Sequence, residues 1–92
     1  MGYEWLPYAL TALRGVEPYE VIQALHADRR WPVPALAAGT RLLTIWSRTR
    51  EGRPMIVTLR HQAGMDWLII GAREMGPEEL AGFRRWEETD HE

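Results

Sequence analysis

The side chains of this chain best suited to chemistry are its eleven arginines, which supply all of its basic charge apart from three histidines because lysine is absent. A guanidinium presents a planar fork of donors that matches phosphate bidentately, so an arginine-only set suits an anion that must be oriented as well as neutralised. Codon bias in a genome rich in G and C would exclude lysine equally well. Distribution is more telling than number. Residues 29–60 carry seven Arg against the single acid Glu51, residues 1–28 carry one against four acids, and residues 74–92 carry two against seven. The formal net charge of −2 therefore conceals a basic middle third between acidic ends, the pattern of a local anion-binding face.

Extended geometry sharpens this. Period two places Leu42, Thr44, Trp46 and Arg48 on one face of a strand, and Ile56, Thr58 and Arg60 on one face of the next. Arg48 and Arg60 can then project from the same sheet, with Arg41, Arg50 and Arg53 around its loops. Such a surface is either a solvated sheet face or an RNA face, where Arg meets phosphate and interleaved Trp and Thr meet bases. The five Trp residues suit helix–sheet packing as readily as a nucleotide platform. His61 follows Arg60, and histidine exchanges protons near neutrality; it reads either as a base or as an exposed loop residue.

Other chemistries find no support. With no Cys there is no disulfide framework, thiolate zinc site or cysteine nucleophile. His26, His61 and His91 have no metal-site spacing, glycine-rich phosphate loops are missing, and Ser47 is the only serine and lies outside a nucleophile elbow. Neither a metal nor a cofactor is expected. No run approaches the roughly 18 apolar residues of a membrane span, so a cytoplasmic protein without membrane attachment is expected.

Ninety-two residues suffice for one domain, expected over residues 1–88, with an acidic tail at 89–92 expected to fray. Leu6, Ala9, Leu10 and Leu13 form a helical stripe that predicts a helix over 7–14, with Gly15 just beyond it. Pro18, Val21, Ile22 and Leu25 repeat the pattern and predict a second helix over 18–26. Trp31-Pro32-Val33-Pro34 reads as a ragged edge strand. Strands are predicted at 41–48, 54–61 and 66–72, joined by Arg50-Glu51-Gly52-Arg53 and Ala63-Gly64. Gly76-Pro77-Glu78-Glu79 opens a helix over 77–88. The expected fold is α+β: an antiparallel sheet of three to four strands with two N-terminal helices and one C-terminal helix on one face.

Several of these segments together resemble BrnT-type toxins of bacterial type II toxin–antitoxin systems. Leu13-Arg14-Gly15-Val16-Glu17-Pro18-Tyr19-Glu20-Val21 is similar to the family's lysine–histidine–glycine–valine turn into its second helix. The stretch Arg41 to Arg53 with Ile56-Val57, and Leu68-Ile69-Ile70-Gly71-Ala72-Arg73, look like its strands. The resemblance implies a RelE-like fold and a metal-independent endoribonuclease acting through the RNA 2′-OH. It also implies neutralisation by a ribbon-helix-helix antitoxin, in a homodimer or heterotetramer. By position it assigns Arg73 and Glu79 to catalysis and Arg48 and Arg50 to RNA; Arg60 and His61 join the first group, and Arg41 and Arg53 the second. The family's basic residues around the glutamate are here Pro77, Glu78 and Leu80, and its lysine–histidine pair is Leu13-Arg14. Loss of those cations leaves a second expectation: a catalytically silent module of the same fold that works through a protein partner, in a DNA-binding regulatory complex.

Overall fold

The computed structural model describes residues 2–62, 64 and 66–89; the tail residues 90–92, and Ala63 of the expected turn, lie outside them. Its centre is an apolar run. Met55, Ile56 and Val57 follow one another in the strand Pro54–His61 and are all buried. Because neighbouring side chains in a strand point to opposite faces, a run of this kind must be covered on both sides.

Two cores do so. On one side Met55, Val57 and Leu59 join Ile45 and Ile69 beneath Val21, Ala24 and Leu25 of the helix Pro18–Leu25. On the other, Ile56 packs with Met75 and with Phe83 of the helix Pro77–Glu88, flanked by Trp31, Trp46, Leu80 and Trp86. The helices thus lie on both faces of the sheet, not on one as the sequence suggested.

In chain order the elements are β1 (Tyr3–Trp5), α1 (Pro7–Ala12), α2 (Pro18–Leu25), β2 (Trp31–Ala37), β3 (Thr40–Arg48), β4 (Pro54–His61), β5 (Trp67–Glu74) and α3 (Pro77–Glu88). They form a single α+β unit with a five-stranded sheet in the order β1-β5-β4-β3-β2. The β2 to β5 meander is antiparallel, while β1 runs parallel to β5, with Tyr3, Glu4 and Trp5 opposite Trp67, Leu68 and Ile69. The sheet is therefore mixed, and its five strands exceed the three or four expected. Three residues are too few to show a period, yet β1 is fixed at both ends: Trp67 N–H donates to Gly2 O at 2.9 Å and Leu6 N–H to Ile69 O at 3.1 Å. Tyr3 and Trp5 turn toward the α2 core.

Helix α2 follows local rules. Pro18 fills the first position, the Glu17 N–H donates to Glu20 Oε1 at 2.9 Å, and the buried stripe is Val21, Ala24 and Leu25. Ile22, assigned to that stripe from spacing, points outward. The only serine has a structural role, since buried Ser47 donates from Oγ to Ala24 O at 2.7 Å and so joins α2 to β3. Helix α1 stops at Ala12, short of the predicted residue 14, because Leu13 is already extended.

All five Trp residues are half-buried. Trp31 stacks on Trp86 with centroids 5.7 Å apart, Trp86 on Phe83 at 5.5 Å, and Trp46 tilts against Trp31 at 5.2 Å. These rings fasten α3 to β2 and β3, the packing alternative of the two open from sequence.

The β2–β3 hairpin closes on the two-residue loop Ala38-Gly39, with φ of +50° and +79°. Both central residues of such a turn need positive φ, which glycine and asparagine accept and alanine resists. Ala38→Asn should therefore stabilise the fold by about 0.5–1 kcal/mol, and Ala38→Val should destabilise it. Urea unfolding checks this as a shift in midpoint at unchanged slope.

Candidate functional site

The eight residues singled out from sequence divide between the two ends of the sheet. At the end formed by the close of β3, the start of β4 and the close of β5, arginines meet carboxylates from the helices. Arg48 donates through Nε and Nη2 to both Glu87 oxygens of α3 at 2.8 and 2.9 Å, and through Nη1 to Gly52 O at 2.9 Å. Its guanidinium also lies 5.5 Å from the Phe83 ring centre. Arg53 donates to Glu20 Oε1 of α2 at 2.8 Å, to Gly15 O at 2.6 Å and to Glu74 Oε1 at 3.3 Å. Arg73 donates through Nη1 and Nη2 to the two Glu79 oxygens at 2.6 and 2.5 Å.

The pairs of Arg48 with Glu87, Arg53 with Glu20 and Arg73 with Glu79 shift both partners toward their charged forms. Hydrogen bonds from Arg48 lower the Glu87 carboxyl below its ordinary range. Glu20 is lowered first by the Glu17 backbone N–H and then by Arg53. Arg48, Arg53 and Arg73 are raised, chiefly by Glu87, Glu20 and Glu79 in turn. Glu79 moves furthest. The Arg73 fork, followed by the Gly76 N–H that donates to Glu79 Oε1 at 2.8 Å, brings it down from the ordinary 4.5 to about 2. Glu79 thereby caps α3 and ties it to β5 at once.

At the far end lie Arg41, Arg60 and His61. Arg60 stands opposite Leu68 and Leu42, on the sheet face that α3 covers only at its other end. Arg73 shares that face but pairs with Ile56, four residues away along β4, a separation of roughly 13 Å. His61 is next to Arg60 in a strand and so points to the other face, where its ring meets Trp67 edge-on at 5.0 Å. The structure thus brings Arg73 and Glu79 together, and it parts both from Arg60 and from His61. Arg50 is exposed in the turn after β3, beside a mixed-charge cleft with His26 and Asp28. No carboxylate lies within ion-pair distance of Arg41, Arg50 or Arg60 among the described residues.

Sequence reasoning missed a feature at this open end. Pro34, Leu36, Leu43 and Trp67 line an open trough of about 690 Å³, with Arg41 and His61 on its wall. Leu36 keeps 72% of its surface exposed. The signal was present in Pro34-Ala35-Leu36-Ala37-Ala38, an apolar run beside a turn, which is a costly composition for a solvated hairpin.

Among the described residues no three His, Asp or Glu side chains converge as metal ligands, and no helix is long and apolar enough to cross a membrane. No protein-family model matches the chain, and no curated protein matches it.

The depressed Glu79 carboxyl has a thermodynamic counterpart. Its value in the folded chain lies below that in the unfolded chain, so the Arg73 pair stabilises the fold above about pH 4.5, and that contribution is lost as pH falls toward 2. Solvent reaches both partners, with 58% and 30% of their side chains exposed, which trims the effect to about 1–2 kcal/mol. Glu79→Gln should accordingly be less stable than wild type at neutral pH by that amount. The gap should close on acidification, as read by urea unfolding at a series of pH values between about 5 and 2.

Proposed function

We propose that this chain is a protein-interaction module of the BrnT-like kind, working through a partner such as a ribbon-helix-helix protein in a DNA-binding regulatory complex, with ribonuclease chemistry silent. The resemblance to the toxin family supplies the kind of partner, and the order of two helices, a meander and a closing helix accords with it. The observation that carries the reading is the state of Glu79. A general base for the RNA 2′-OH has to accept a proton near neutral pH, which a carboxylate brought down to about 2 does poorly. Arg73, the cation that would steady the pentavalent phosphorane, turns two donors to that same carboxylate. His61, the other candidate base, faces away from both.

One observation favours the endoribonuclease reading instead. Arg41, Arg50 and Arg60 are exposed and free of carboxylate partners among the described residues, so phosphate could still be gripped. In that reading Arg60 and Arg73 hold the backbone and Glu79 works only after release from Arg73.

The two readings part in a cleavage assay on bulk RNA in EDTA, where a mechanism without a divalent ion loses nothing. Wild type should leave RNA intact, and so should Glu78→Lys, which returns a cation beside Glu79 at an exposed position. Leu80 is a poor place for the same repair, because it packs against the Ile56, Met75 and Phe83 core. Cleavage by wild type that falls about tenfold or more with Arg73→Ala and is suppressed by Glu79→Gln would overturn the silent-module reading.

A further inference from the structure

The open end of the sheet leaves apolar surface uncovered, with Leu36 72% exposed. From Pro34 to Arg41 every residue of the β2–β3 hairpin tip is exposed. The trough beneath it is apolar over Pro34, Leu36, Leu43 and Trp67, and the ionisable side chains lining it are Arg41 and His61, with no carboxylate. At the other end of the sheet, by contrast, Arg48 of β3 and Arg73 of β5 each already hold a glutamate.

We propose that this trough docks an amphipathic helix of a partner protein, apolar toward Leu36 and Trp67 and bearing a carboxylate that Arg41 receives. The proposal rests on the interaction-module reading above and gives that partner its chemistry. Charge selects the occupant. A helix laid in a groove presents apolar anchors at i, i+3 or i+4 and i+7 on one side, with room for acids beside them. A carboxylate there completes Arg41, the arginine of the lining, which has no ion-pair partner among the described residues. A second copy of this chain joined face to face would bring the same carboxylate-free lining to the trough and leave Arg41 without an acid to receive. Strand addition is opposed at the free rim of β2, where Pro32 and Pro34 offer no N–H donors.

The test is an NMR titration of the ¹⁵N-labelled full chain with a stapled helical peptide carrying Leu at i, i+4 and i+7 and Glu at the flanking positions. A second peptide has every Glu replaced by Lys. Amide shifts should cluster at residues 34–43, 61 and 67, and the Lys peptide should bind about tenfold or more weakly. Leu36→Asp and Arg41→Glu should each weaken the Glu peptide by about tenfold or more. Both positions are exposed, so the spectrum away from the tip should stay unchanged.

Absence of shifts at the trough at millimolar peptide, or equal binding of both peptides, overturns the proposal. Shifts at these residues that grow with protein concentration alone would assign the trough to a second copy. Equal binding of an unstapled, proline-interrupted peptide would assign it to an extended segment. The broader reading is judged separately, by co-expression with a ribbon-helix-helix protein encoded beside this chain. If that protein co-purifies equally with wild type, Leu36→Asp and Arg41→Glu, the module reading stands and this surface is the wrong one. Cleavage of RNA by wild type in EDTA, sensitive to Arg73→Ala, would remove the module reading itself.

Discussion

The structure depends on a strand that must be hidden from water on both sides. Met55, Ile56 and Val57 send apolar side chains alternately up and down from β4, and a single layer of helices would leave one of those faces wet. Helix α2 covers one face and α3 the other, so the sheet becomes the middle layer of three. The remaining features serve that arrangement. Trp31, Trp46 and Trp86 fill the space between α3 and the sheet, while Ser47 anchors the end of α2 beneath it.

Covering both faces also explains where the arginines went. Each long helix has to be fixed in rotation as well as in position, and an Arg–Glu pair between helix and sheet does this with directional bonds that apolar packing lacks. Arg53 reaches Glu20 of α2, and Arg48 and Arg73 reach Glu87 and Glu79 of α3. All three pairs gather at one end, so the sheet has an end latched to its helices and an end left open. Cations that look alike in the sequence thus divide by position into those that hold the fold together and those free to meet another molecule.

Most of the meander was legible in the sequence, because Arg41–Arg48, Pro54–His61 and Trp67–Ala72 are rich in branched and aromatic residues and bounded by turn formers. Helix α3 was legible from Gly76-Pro77. Strand β1 was not, since its order comes from the edge of β5, some 64 residues further along the chain. The two-sided packing was recoverable in principle: consecutive buried residues at 55–57 break strict alternation, the mark of a strand covered on both faces. The candidate site was less legible. Composition gives the number of charges and not their partners, so Arg53 and Glu20, 33 residues apart, could not be matched in advance. Grouping Arg60 with His61 overlooked that adjacent strand residues face opposite ways.

The parallel pairing of β1 with β5 imposes an order on biosynthesis. The hairpins of β2 to β5 close over short loops and can form as they emerge, whereas Tyr3–Trp5 has no strand to pair with until Trp67–Ile69 has been made. At a synthesis rate of about 5–20 residues per second, the first strand waits several seconds for its partner. During that interval Tyr3 and Trp5 are unburied on the nascent chain, and the α2 core lacks one of its walls. The sheet therefore gains its parallel edge only once β5 exists, although β1 precedes every other strand in chain order.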